Sequence, residues 1–289
     1  MTKQKLLTFL LFLLSIGYSF SQDDLLNELK NEANTDSNYE LPAFKAVQIG
    51  NLQSTKIVGK GDFYFIVAHR FSPFSSGIDE FFGLDDANTK IQFVYSFWDG
   101  IQLSLSRDSY EKTYSGAAKF SVKKQSDSFP LNIVAYASTD IETQSKTSDF
   151  PTLEFKDRVS ITAQILASRR ISKNLSLLIA PTFVRQNNLQ KFLLTGDTNL
   201  NQFIIGLGGR LKISKRMSIN ADYALNLNRH ENSTYKNPLT LGFDIETGGH
   251  VFQLIFTNSR ASNDSGFLTR TRGEWFDDVA FGFNIVRVF

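Results

Sequence analysis

Met217-Ser218-Ile219-Asn220-Ala221-Asp222-Tyr223-Ala224-Leu225-Asn226-Leu227-Asn228 sets apolar residues at nearly every odd position and polar residues at most even ones. A period of two belongs to an extended strand whose two faces meet different surroundings. The same alternation recurs along the chain. Ile91, Phe93, Tyr95 and Phe97 flank Gln92 and Ser96. Ile101, Leu103 and Leu105 flank Gln102, Ser104 and Ser106. Val159, Ile161, Ala163, Ile165 and Ala167 interleave with Ser160, Thr162, Gln164 and Ser168, and Leu239, Leu241, Phe243 and Ile245 with Thr240, Asp244 and Glu246.

Strands of this kind build either a soluble sandwich, apolar face inward, or a membrane barrel, apolar face outward in lipid. The connections discriminate. Strands are expected near 62–71, 89–98, 100–108, 113–124, 130–140, 157–170, 174–186, 199–213, 216–229, 238–246, 249–259 and 278–289, about twelve in all. Tight links at Asp99, 125–129, Ser172-Lys173, Ser214-Lys215 and Thr247-Gly248 alternate with longer ones at 72–88, 109–112, 141–156, 187–198, 230–237 and 260–277. Short periplasmic turns alternating with long external loops are the habit of an outer-membrane barrel. The reading is therefore all-β, a closed antiparallel transmembrane barrel of about twelve strands. A high phenylalanine content, 27 residues, agrees with it.

Both ends of the chain fit export and membrane assembly. Lys3 and Lys5 precede an apolar run from Leu6 to Leu14, and Ser19-Phe20-Ser21 supplies a small-x-small cleavage pattern. The run is too short to span hydrocarbon. Residues 1–21 are thus read as a signal peptide, with mature protein starting near Gln22. Residues 22–60 are read as a periplasmic N-terminal helix, with Leu25, Leu26 and Leu29 as its stripe, followed by an extended segment. Residues 61–289 form the barrel. The C-terminal run Val279, Phe281, Phe283, Ile285, Arg287, Phe289 places hydrophobics on one face and ends on an aromatic. Phe281, Phe283, Ile285 and Phe289 are taken as a signal for the barrel assembly machinery, while Arg287 breaks the pattern and is suited to snorkelling.

His69-Arg70-Phe71, Phe81-Phe82-Gly83-Leu84-Asp85-Asp86-Ala87, Lys90-Ile91-Gln92-Phe93 and the extended Phe44-Lys45-Ala46-Val47-Gln48-Ile49 together resemble a family of Bacteroidota outer-membrane β-barrel proteins, a domain of unknown function. The resemblance covers about residue 44 to the end. It implies architecture and carries no activity.

Little else points to chemistry. There is no cysteine, and the net charge of +2 gives no field for nucleic acid. His69, His230 and His250 lie on separate elements without metal-ligand spacing, so no cofactor and no metal are expected. His69 invites comparison with twelve-stranded outer-membrane phospholipases, which carry a serine–histidine pair on the outer wall, but no neighbouring serine is evident; no enzymatic activity is expected. Gly206-Leu207-Gly208-Gly209 lies inside a strand pattern, where glycine suits close approach or curvature rather than a phosphate loop. If the apolar face meets lipid, the lumen is lined by Lys119, Lys123, Gln164, Arg170, Arg210, Lys212, Asn220, Asp222, Asn226, Asp244 and Glu246, with the apolar Val184, Ile204, Val251 and Ile255 among them. Such a wall suits a narrow outer-membrane channel for small polar or charged solutes, with a weak anion preference. The alternative is a non-conducting barrel acting as scaffold or accessory subunit of an envelope complex. Loop 260–277 is expected to be a solvated external loop rather than one folded inward. Expected partners are outer-membrane lipid, the assembly machinery and, on the scaffold reading, an envelope protein.

Overall fold

The computed structural model describes residues 42–187, 194, 196 and 199–289. The signal peptide and the helix expected near residues 23–33 lie outside the described residues. Strands β1 (Phe63–Pro73), β2 (Ala87–Trp98), β3 (Ile101–Asp108), β4 (Thr113–Lys123), β5 (Asn132–Glu142), β6 (Val159–Arg170), β7 (Leu175–Arg185), β8 (Asn201–Lys212), β9 (Met217–Asn226), β10 (Leu239–Thr247), β11 (His250–Thr257) and β12 (Ala280–Val288) succeed one another, with a short helix α1 (Asp264–Thr269) between the last two. Each strand pairs antiparallel with its chain neighbours, and β1 pairs with β12 to close the barrel. Closure satisfies every strand's backbone groups without an edge, which hydrocarbon requires.

The two faces sort as the alternation demands. Phe93, Leu105, Ile165, Phe203, Leu207 and Leu241 are exposed on the outside, whereas Gln92, Ser104, Gln164, Gln202 and Thr240 are buried inside. An exposed apolar belt over a polar interior is stable only against lipid. At the closing seam the outer face carries a pile of rings. Phe63 meets Phe289 at 5.9 Å, His69 meets Phe283 at 4.7 Å and Phe71 meets Phe281 at 5.8 Å between centroids. His69 also hydrogen-bonds Thr89 Oγ1 at 3.2 Å, so this histidine is part of the lipid-side packing of the seam.

The termini of the barrel and its tight turns share one rim, the turn side; the long connections share the other, the loop side. One register shift matters. Between Ser121 and Lys123 of β4 an extra residue bulges out of the pairing with β5. A bulge reverses the facing of the residues beyond it, and it moves Lys123 out of the interior.

Candidate functional site

The interior of the barrel is filled, and it is filled by the protein's own chain from both ends. From the turn side a hairpin of residues 43–58 enters. Val47 and Ser54 share a backbone hydrogen bond, Gln48 bridges Gln53, and Ile49 N donates to Leu52 O, which makes residues 49–52 the tip. Residues 46–55 are all buried. The extended stretch 44–49 therefore lies in the lumen instead of standing outside the barrel. The reason is physical: its apolar residues and unpaired backbone find both an apolar wall and polar partners inside.

The polar partners come from strands all round the barrel. Asp222 Oδ2 accepts from Gly50 N at 2.9 Å, Asn51 N at 3.0 Å and Leu52 N at 3.4 Å, so one carboxylate receives the amides of the whole tip. Arg70 is fully buried and donates through Nε and Nη2 to Asn51 Oδ1, at 3.1 and 2.7 Å, and through Nη1 to Asn284 Oδ1 at 2.9 Å. Asn284 and Gln253 donate to the carbonyls of Gly50 and Ile49 at 2.9 and 2.7 Å. Lys119, with no exposure, donates to the carbonyls of Val47 and Ser54 at 2.7 and 2.9 Å. At the turn-side rim Lys45 pairs with Glu246 at 3.1 Å, which also holds Arg210 at 2.8 Å.

From the loop side the connection between β11 and β12 folds inward. Residues 261–271, including all of α1, are buried. The solvated external loop expected for 260–277 is thus replaced over 261–271 by an inward lid, while 272–277 stays partly or fully exposed. Its apolar Phe267 and Leu268 need a dry site, and wall acceptors serve its backbone. Asp108 Oδ2 accepts from Ser262 N and Asn263 N at 2.9 and 3.0 Å, and Asp140 Oδ2 from Ser265 N at 2.9 Å. Tyr136 donates to Asp264, and Lys90 to the carbonyl of Ser262 at 3.0 Å. Arg270 pairs with Glu111 at 3.1 Å and Arg260 with Asp86 at 2.6 Å. Hairpin and lid meet where Gln53 donates to Asp264 Oδ1 at 2.9 Å.

The apolar wall positions now have a role. Val184 and Ile204, with Leu166, Leu178 and Ala180, pack with Phe44, Ile49, Leu52, Phe267 and Leu268 into one cluster. Gly206 and Gly208 of β8 face the same cluster. A Cβ on Gly208 would stand 2.3 Å from Ile49 Cδ1, and one on Gly206 would stand 3.0 Å from both methyls of Leu52. They are there for close approach of the hairpin.

Of the residues expected in the lumen, Lys119, Gln164, Arg210, Asn220, Asp222, Asn226 and Asp244 are buried in the interior, and Glu246 lies at its rim in the ion pairs above. Arg170 instead folds over the turn after β6, donating to the carbonyls of Ser172 and Lys173 at 3.2 and 2.9 Å. Lys212 is half-buried near the turn-side end of β8. Lys123 is exposed over the Phe129 ring, 5.8 Å away, because of the β4 bulge. Arg70, Lys90, Asp108 and Asp140 were missed, although strand parity alone places the last three with Gln92, Gln102 and Ser138. At the C-terminus Phe281, Phe283 and Ile285 alternate outward with buried Gly282, Asn284 and Val286, and Phe289 pairs with Phe63 through backbone bonds of 2.9 and 3.3 Å. Among the described residues no cluster of three or more His, Asp or Glu is placed to hold a metal.

The model of the family described as "Membrane bound beta barrel domain (DUF5777)" matches residues 44–289. The chain belongs to this family. The match begins at the hairpin and not at β1, so hairpin and barrel fall within one family domain. Among solved structures, the NanC porin superposes with a TM-score of 0.52 at 10% identity, covering 78% of this chain and 98% of that one. The KdgM porin gives 0.49 at 8% identity, with 78% and 99% covered. Outer membrane phospholipase A from Escherichia coli gives 0.42 at 11% identity, with 84% and 98% covered. At 10% identity the likeness to the NanC porin is one of fold. A comparison with curated protein sequences finds no match.

Proposed function

We propose that this DUF5777 protein is a bacterial outer-membrane β-barrel that is closed to solutes as folded and acts at rest through its surfaces, as a scaffold or accessory subunit of the envelope, rather than standing open as a pore. The observation that carries this reading is the occupied interior: the buried hairpin from one rim and the buried lid from the other leave the wall's charges bonded to protein. Lys119, Arg70, Asp222, Asp108 and Asp140 each hold backbone or side-chain groups of those two segments. In an open channel the same residues would face water.

Family membership and the exposed apolar belt support a lipid environment, and the fold of the porins supports the outer membrane. Its tight turns then face the periplasm and its long loops the outside. The outward residues of β12, with Phe289 at the seam, suit recognition by the assembly machinery. The test is electrical. Purified, heat-modifiable barrel inserted in planar bilayers is expected to stay silent under applied voltage. Steady conductance of the unmodified protein would refute closure at rest.

A further inference from the structure

We infer that the closure is reversible: hairpin 43–58 is a withdrawable plug and segment 258–272 a liftable lid, and with both displaced the barrel passes small polar solutes with little preference for charge. The inference rests on the reading of the barrel as closed at rest.

Topology permits withdrawal. Both legs of the hairpin leave by the turn-side mouth. The entering leg is tied there by Lys45 to Glu246, one residue from the end of β10. The departing leg is tied by Val58 N to Gln102 Oε1 at 3.1 Å, at the start of β3, and by Gly61 N to Ser96 O at 2.8 Å. A hairpin whose ends exit together is pulled out without threading any chain through the ring. The lid enters by the opposite mouth, and the loops beside β11 and β12 are its hinges.

Chemistry permits rehydration. Buried charges cost desolvation even when paired. Here the wall behind the hairpin presents Arg70, Gln102, Lys119, Asp222, Gln253 and Asn284, and each bond it makes to the hairpin is one that water replaces. The tip of the hairpin offers backbone amides and carbonyls, which also rehydrate. Both signs of charge line the vacated wall, Arg70, Lys90 and Lys119 against Asp108, Asp140 and Asp222, so neither ion is excluded. Plug and lid are joined through Gln53 and Asp264, so they move together.

The absence of native cysteine makes the test clean. Thr55 Oγ1 and Ser168 Oγ lie 2.6 Å apart, so a Thr55→Cys/Ser168→Cys pair places two sulfurs within bonding reach and locks the hairpin to β6. Loosening is provided by Asn51→Ala, which removes the tip's side-chain bonds to Arg70, Thr240 and Thr257, together with Asn263→Ala, which removes the lid's one side-chain bond to Asp108 and the cap on the first turn of α1; both leave the wall intact. Should that double variant not yield heat-modifiable barrel, Gln53→Ala with Arg260→Ala serves in its place. In planar bilayers with a potassium chloride gradient, the loosened full-length protein is expected to show openings with a reversal potential near zero. The added cysteine pair should abolish them when oxidised, and dithiothreitol should restore them. A folded loosened barrel that stays silent, or one whose current ignores the oxidation state, overturns the inference while leaving closure at rest intact. Current through the wild type would overturn the closed reading itself.

Discussion

Replacing Asp222 with alanine should release the tip of the hairpin without opening the barrel wall. The carboxylate receives Gly50 N and Asn51 N at 2.9 and 3.0 Å and Leu52 N at a weaker 3.4 Å, all out of contact with solvent. Leaving a buried donor unpaired costs about 1–3 kcal/mol, more for bonds to a charged acceptor. The two short bonds therefore amount to roughly 2–6 kcal/mol. Removing a buried carboxylate returns part of this, so the low end, about 2 kcal/mol, is the working figure. Protection of the tip amides against hydrogen exchange scales with the local opening free energy, and about 2 kcal/mol is roughly a 30-fold loss at 1.4 kcal/mol per decade. Exchange mass spectrometry of the peptide spanning 49–53, in detergent, reads it directly, with peptides from β6 and β7 as unchanged controls. Asp222→Asn keeps an acceptor but loses charge assistance, about half the strength, and should fall between. Unaltered tip protection in Asp222→Ala would refute the assignment of this residue as the receiver of the tip.

Gly208→Val should drive Ile49 off the wall, since even a Cβ there meets Ile49 Cδ1 at 2.3 Å; a faster-exchanging hairpin with the barrel's heat-modifiability kept is the expected result, and an unchanged exchange rate contradicts the packing. Leu207→Arg, exposed at the middle of β8, should destabilise the barrel by about 2–4 kcal/mol, whereas Ile213→Arg, exposed just beyond the turn-side end of β8, should cost about 0–1 kcal/mol; equal costs in urea titrations from lipid vesicles would place the hydrocarbon elsewhere. The hydrogen bond from Arg260, at 2.6 Å, holds the loop carboxyl of Asp86 below the ordinary carboxylate value of about 3.9. A depressed folded value means that the contribution is complete above the ordinary value and fades as pH falls through the lower folded one. With Asp86 largely exposed it is small. Carbon-detected titration of the Asp86 carboxyl should move upward in Arg260→Gln; no movement would mean that the pair does not form.

The strands were legible because one physical rule, lipid outside and polar groups inside, is written at every second residue. The expected 216–229, 238–246 and 278–289 became Met217–Asn226, Leu239–Thr247 and Ala280–Val288. The use of the lumen was not legible. Lys119 and Asp222 read as pore-lining charges because alternation says which way a side chain faces and nothing of what stands opposite. Residues 43–58 have no strand period, and their partners lie as far off as Asp222 and Asn284, so no local pattern announces them. Lys123 failed for a different reason: one inserted residue in β4 inverts facing, and nothing in Ser121-Val122-Lys123 marks a bulge. The apolar exceptions on the polar face, Val184 and Ile204, and the glycines Gly206 and Gly208 beside them were the traces of the filling segment.

The seam between β1 and β12 differs from every other pairing in what its formation costs in chain entropy. Thr247 meets His250 across a tight turn, whereas Tyr64 meets Val288 across almost the whole barrel. Closing a loop costs about 0.6 kcal/mol more for each doubling of its length, so roughly six doublings put the seam about 4 kcal/mol behind a hairpin. Ring pairs contribute about 0.5–1.5 kcal/mol each beyond their buried area. The pile of Phe63 on Phe289, His69 on Phe283 and Phe71 on Phe281 therefore offsets an amount comparable to that deficit, at the one joint of the ring where sequence neighbours give no help.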